Sequence, residues 1–196
     1  GFKNITFSNC AIYNTRKAGI ALEMVDGGTM DRITISDITI EKAGGGIFIR
    51  LGNRARPYLS EGSGRPNDKQ FVLEEGMEQP GVGKLQNIVI SNIVASDFGS
   101  YGCSITGIPE QSAENITLEN IRLTFPGGGT KDLIKREVPE KESSYPAHEM
   151  FGKLPAYGFY CRHVNNLKFR NIQVDYIKTE ARPAFVFDDV NGLHLA

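Results

Sequence analysis

Five short apolar runs share one pattern, and four of them end on a charged residue: Gly19-Ile-Ala-Leu-Glu, Gly46-Ile-Phe-Ile-Arg, Gly102-Cys-Ser-Ile-Thr, Gly158-Phe-Tyr-Cys-Arg and Ala184-Phe-Val-Phe-Asp. If each run is a strand with its second and fourth residues inward, its third and fifth point outward. Stacked, the outward positions form two columns. One reads Ala21, Phe48, Ser104, Tyr160, Val186; the other reads Glu23, Arg50, Thr106, Arg162, Asp188. A guanidinium fork binds carboxylate or phosphate through paired bonds, so Arg50 and Arg162, with Arg54 just beyond the second run, are a candidate grip for an acidic ligand. Phe48 and Tyr160 offer ring faces in the adjacent column. The competing reading is a solvated ladder in which Glu23 pairs Arg50 and Arg162 pairs Asp188, each pair contributing under about 1 kcal/mol.

The columns alone do not make a catalyst. Hydrolysis by a paired acid and base needs two carboxyls about 6.5–9.5 Å apart with room for a water between them. Glu23 and Asp188 are four rungs apart, about 19 Å at ~4.8 Å per rung. Glu23 and Asp26 are closer, but Asp26 opens an Asp26-Gly-Gly turn and is read as shaping it. No Ser–His or Cys–His arrangement is readable, so no catalytic residue is assigned within the chain. The three cysteines, Cys10, Cys103 and Cys161, include no CxxC, which removes the common zinc signals, and no metal ligand is assigned. Cys103 and Cys161 fall on inward positions, as small hydrophobes do.

The elements that must carry these columns follow from an internal repeat. Asn4-Ile-Thr-Phe-Ser-Asn-Cys, Arg32-Ile-Thr-Ile-Ser-Asp-Ile, Asn87-Ile-Val-Ile-Ser-Asn-Ile, Asn115-Ile-Thr-Leu-Glu-Asn-Ile and Asn166-Leu-Lys-Phe-Arg-Asn-Ile are one motif. Apolar and polar residues alternate, then the alternation slips by one at the sixth residue: Asn9, Asp37, Asn92, Asn120 and Asn171. A chain that keeps its apolar side inward through such a slip must bend there, and Asn or Asp tolerates the left-handed conformation a bend uses. Gln86-Asn87, Asn115 and Asn165-Asn166 are read as further turns. Two short strands meeting at an Asn corner, with a third strand about 14 residues later, give roughly 26–28 residues per coil. That arithmetic predicts an all-β chain: a right-handed, single-stranded parallel β-helix of about five to six coils, its corner residues stacked as a ladder.

Two steps in the repeat are about one coil too long, so they hold insertions at about 52–84 and 126–156. One leaves after the third strand and the other enters before it, which predicts walls at opposite edges of the outward face and a groove between them. Asn53, Arg54, Arg56, Tyr58 and Arg65 belong to the first wall; Tyr145, His148, Glu149 and Tyr157 belong to the second.

At 196 residues the prior is one domain, residues 1–196. The 22 basic and 23 acidic side chains leave a net charge of −1, so there is no basic field to recruit nucleic acid and no polybasic membrane patch. No apolar run approaches the ~20 residues of a membrane-spanning helix. With no Met at its start, the chain is read as a piece of a longer protein.

The repeat, together with Gly1-Phe-Lys-Asn-Ile-Thr-Phe-Ser-Asn-Cys, Asp26-Gly-Gly-Thr, Gly46-Ile-Phe-Ile-Arg-Leu-Gly-Asn-Arg54 and Leu154-Pro-Ala-Tyr-Gly-Phe-Tyr-Cys-Arg-His163, resembles family 28 glycoside hydrolases, the polygalacturonase-like group of bacterial pectin degraders. The resemblance covers nearly the whole chain, as the C-terminal part of such a β-helix. It implies inverting hydrolysis of galacturonan or rhamnogalacturonan, no cofactor, an acidic polysaccharide or oligosaccharide as partner, and a secreted or periplasmic location. The family's Asn-Thr-Asp, Asp-Asp and Gly-His-Gly signatures would precede Gly1, so this chain alone is expected to be inactive. Ala21-Leu22-Glu23 stands where the family has Arg-Ile-Lys, its usual grip on the sugar carboxylate. The expected substrate-binding set is therefore Glu23, Phe48, Arg50, Arg54, Tyr160 and Arg162. Two other functions remain open: a β-helix that binds acidic polysaccharide without cutting it, and a calcium-dependent polysaccharide lyase on the same fold.

Overall fold

The computed structural model describes residues 1–56 and 78–196. Its strands are β1 (Phe2–Met24), β2 (Thr29–Leu51), β3 (Lys84–Ser96), β4 (Cys103–Thr106), β5 (Ala113–Gly127), β6 (Phe159–Lys178), β7 (Phe185–Asn191) and β8 (His194–Leu195). The one helical element among the described residues is a 3-10 turn, Lys131–Lys135. The chain is all-β, and every pairing between these strands is parallel. Among the described residues no helix is long and apolar enough to cross a membrane.

The strands are long because their bends are single residues. Backbone φ is positive at Asn4, Asn9 and Asn14, at Arg32, Asp37 and Lys42, and at Asn87, Asn92 and Asp97. Each set is spaced by five. Four extended residues between bends place two side chains inward and two outward. The fifth residue turns the chain and resets the alternation, so the next side chain points inward again. This is the parity slip of the sequence, and it lets apolar residues stack from one rung to the next. Ile5, Ile33, Ile88, Ile116 and Leu167 are successive partners, as are Cys10, Ile38, Ile93, Ile121 and Ile172.

The corner residues form the expected ladder over four of its five members. The Asn92 amide donates to the Asp37 carboxylate at 3.0 Å, Asn120 to Asn92 at 3.2 Å and Asn171 to Asn120 at 2.9 Å. Asn9 shares the conformation, but its amide donates to the Ser8 hydroxyl instead. A second ladder runs beside it: Asn87 donates to Asp31 at 2.7 Å, Asn115 to Asn87 and Asn166 to Asn115, both at 3.0 Å.

The pairings close into a ring, β2–β3–β5–β6–β4 and back to β2. The closure arises because β2 bends: residues 29–41 meet β3, whereas 48–50 meet β4. Inside lies the apolar core, including Ile49, Ile88, Ile116, Leu118, Phe159 and Leu167. Cys103 and Cys161 are fully enclosed there. Burial pushes the Cys103 thiol up to about 12 and raises that of Cys161 as well, so neither is a nucleophile at neutral pH.

The second insertion corrects the two-walled groove. Residues 126–156 do not stand at one edge of the outward face; they lie across it. Val138, Phe151 and Leu154 pack on Phe48 and Tyr160 as a second apolar cluster outside the ring. His148 enters against Gly44 and Gly45, where a Cβ on Gly45 would meet its ring carbon at 2.6 Å. A flat strand cannot admit an imidazole so closely unless the facing residue lacks a side chain. Of the first insertion, Tyr58 and Arg65 lie outside the described residues.

Candidate functional site

The outward columns are in register, Glu23 beside Arg50 and Arg162 beside Asp188, but the solvated ion-pair ladder is not what they form. Arg50 is only 1% exposed. Its guanidinium donates to Thr106 Oγ1 at 3.2 Å and to the carbonyls of Gly107, Glu140 and Lys141 at 2.8, 2.9 and 3.3 Å. Burial pushes it down to about 10, with Glu140 opposing, so it stays cationic at neutral pH. Arg162 donates to the carbonyls of Val138 and Pro139 and pairs with the Glu140 carboxylate at 3.0 Å. Asp188 accepts instead from the Tyr160 hydroxyl at 3.0 Å. Burial, with Asp188 adding to it, raises the Tyr160 phenol and keeps it a donor.

Phe48, Arg50, Tyr160 and Arg162, four of the six expected substrate-binding residues, are therefore buried under the insertion. An irregular segment carries backbone carbonyls with no strand partner, and each buried one needs a donor. Two forks supply four such bonds to residues 138–141. Arg182 does the same at the insertion's far end, donating to the carbonyls of Leu154 and Ala156. It is held in turn by Glu180. These arginines fasten the insertion down.

The other two expected residues, Glu23 and Arg54, do meet at an open site. They line a cleft of about 390 Å³ with Asp26, Arg56, Tyr145 and Pro146. Glu23 comes from the end of β1, Asp26 from the turn after it, Arg54 and Arg56 from the segment leaving β2, and Tyr145 from the insertion. Asp26 receives both Nε and Nη2 of Arg54 and, at 3.1 Å, the backbone N–H of Arg56. The turn role read for Asp26 thus extends to clamping the next coil, 28 residues on. Pinned this way, Arg54 lies over the Tyr145 ring, 5.2 Å from its centre. Tyr145 is 61% exposed and presents the rest of its surface to solvent. Glu23 is half-buried, and desolvation raises its carboxyl against the opposing charges of Lys17 and Arg54. The cleft thus combines an aromatic face, a fixed guanidinium and a carboxyl whose affinity for its proton is raised by burial.

A second cleft, about 510 Å³, opens at the other end of the insertion beside Lys135, Tyr160, Arg162 and Asp188. A third, of about 500 Å³, is lined by Ile5, Phe7, Ile12, Ile20 and Leu22, the inner face of the first coil. Among the described residues no group of three or more His, Cys, Asp or Glu side chains is placed to hold a metal ion.

Sequence reasoning named Glu23, Asp26, Arg54, Arg56 and Tyr145 but did not join them, and it did not name Pro146. One usable signal was the 28-residue step between Asp26 and Arg54, a full coil. Glu140 was missed, because nothing in an irregular insertion tells which residue turns back onto the sheet. No family model, no curated protein and no solved structure matches this chain.

Proposed function

We propose that this chain is part of a right-handed, single-stranded parallel β-helix that binds an acidic, pectin-type polysaccharide. In this reading it serves a glycoside hydrolase acting by inversion on galacturonan or rhamnogalacturonan, with the catalytic carboxylates outside this chain. The near-universal right-handed crossover between parallel strands supports the handedness. The single observation that carries the binding role is the meeting of Glu23, Arg54 and Tyr145 in one open cleft. A sugar ring stacks its C–H face on an exposed tyrosine, and a uronate accepts from a guanidinium already fixed in place. Burial raises the affinity of Glu23 for its proton, so in mildly acidic solution, where it is protonated, it donates to that uronate. The glycosidase resemblance of the repeat and of the Leu154-Pro-Ala-Tyr segment supports the same class of ligand.

The test is calorimetric titration of the 196-residue chain with oligogalacturonides and, in parallel, with uncharged galactan oligosaccharides. Binding of the acidic series, weakened by Tyr145→Ala and by Arg54→Ala, supports the reading. Equal binding of both series, or binding of neither, overturns it.

A further inference from the structure

We infer that this cleft takes the end of a polysaccharide chain and not an internal stretch of it; the inference rests on the binding role proposed above. A polymer running along the outward face must lie over successive rungs of the Glu23–Arg50–Thr106–Arg162–Asp188 column. The first of these rungs is open. At the next three, Arg50, Thr106 and Arg162 are 1%, 0% and 6% exposed, and Phe48, Ser104 and Tyr160 beside them are 2%, 3% and 2% exposed.

What covers them is a docked layer with its own fastenings. Val138, Phe151 and Leu154 fill the space over the aromatic column. The carbonyls of residues 138–141 take up the guanidinium donors of the charged column. Arg136 adds bonds to the carbonyls of Phe151 and Lys153, tying the insertion to itself. A sugar ring placed at the Arg50 rung would have to displace an apolar cluster and leave several buried carbonyls without donors, which disfavours it strongly.

The same insertion also builds the end of the cleft. Tyr145 and Pro146 line it beside Glu23, and the backbone N–H of Asn53 donates to the Glu142 carbonyl at 2.8 Å. Insertion and β2 exit are thereby joined just behind the cleft. A saccharide entering over Glu23 meets Tyr145 as a stop. The cleft volume of about 390 Å³ matches one or two sugar units rather than a long run. The Asp188 cleft, which reaches Tyr160 and Arg162, is separated from Glu23 by the covered Arg50 and Thr106 rungs and does not continue the same path.

The experiment compares affinity with the number of chain ends. The 196-residue chain is titrated with polygalacturonate, and with the same material hydrolysed to about one-tenth of its mean length, both expressed as concentration of galacturonate units. If ends are bound, the shortened sample binds about tenfold more tightly in those units, because it holds about ten times more ends. A second pair of probes, oligogalacturonides before and after reduction of the reducing end to an alditol, identifies which end enters. Affinity that does not depend on length, in sugar units, overturns the inference while leaving acidic-sugar binding intact. Binding of neither sample overturns the binding role itself.

Discussion

The guanidinium carbon of Arg50 lies 5.4 Å from the centre of the Phe151 ring, so a strand of the ring and the insertion over it share a buried cation on an aromatic face. The arginine read from the sequence as a ligand grip is a fastening. Replacing Arg50 by Ala takes the guanidinium donors from the Gly107 and Glu140 carbonyls, leaves Lys141 only its bond from the Ser144 N–H, and removes a fully buried side chain. The expected cost is about 3 kcal/mol of stability, visible as a lower midpoint in denaturant, with faster proteolysis inside residues 136–156. Arg50→Lys recovers little, since an ammonium cannot reproduce the fork. An Arg50→Ala protein with an unchanged midpoint counts against this assignment.

At the corner, Asn92 both donates to Asp37 and accepts from Asn120, with φ at 56°. Asn92→Ala removes both bonds and leaves an alanine in the left-handed region. The expected loss is about 1–2 kcal/mol. Asn92→Gly removes the same bonds without the backbone strain, so it is expected to be the milder change in equilibrium unfolding.

His148 sits in the cradle of Gly44 and Gly45, facing Glu149 on its own segment, Lys17 on β1 and the Tyr101 ring. Burial lowers its affinity for a proton below the usual 6.5, with Glu149 opposing. A group depressed in the folded state favours folding while neutral, so its contribution is present above pH 6.5 and fades as pH falls below that value. Melting temperature measured from about pH 8 to pH 5 is expected to decline through this window, and His148→Gln is expected to flatten that decline.

Glu180 gives a separate acid limb. Desolvation raises its carboxyl, but bonds from the Arg182 side chain and backbone and from the Gly129 N–H outweigh that and hold it at about 2. Its stabilisation is present above pH 4.5 and is lost as pH falls toward 2. Glu180→Gln should remove that limb from an acid unfolding curve and leave the His148 window in place.

Glu23 sets the pH dependence of binding. Its carboxyl is raised above 4.5 by partial burial, so near that pH it is neutral and donates to a uronate. As pH rises through its shifted value it ionises and repels the same ligand. Affinity for an oligogalacturonide is expected to weaken across that rise in the wild type and to stay level in Glu23→Gln. Parallel profiles for the two proteins would exclude Glu23 from the ligand contact.

The repeat carried the scaffold on its face. Asn9, Asp37, Asn92, Asn120 and Asn171 mark one corner by residue type and parity slip, so the repeat located that corner, the inward columns and the parallel all-β class; the bends at Asn14, Arg32 and Lys42 were not read, since arginine and lysine carry no turn signal. Cys103 and Cys161 were legible as core for the same reason, since an alternating strand settles which side a residue takes. What lies outside the repeat was decided by tertiary structure. Residues 126–156 have no period, so nothing local told whether they stand beside the outward face or lie across it. That choice turned Phe48, Arg50, Tyr160 and Arg162 from exposed columns into buried anchors. It also left Glu23 and Arg54 as the two of the six that meet in the Tyr145 cleft. Buried carbonyls of an irregular segment must find donors wherever the fold brings them, and only the three-dimensional path of the insertion determines which arginines those are.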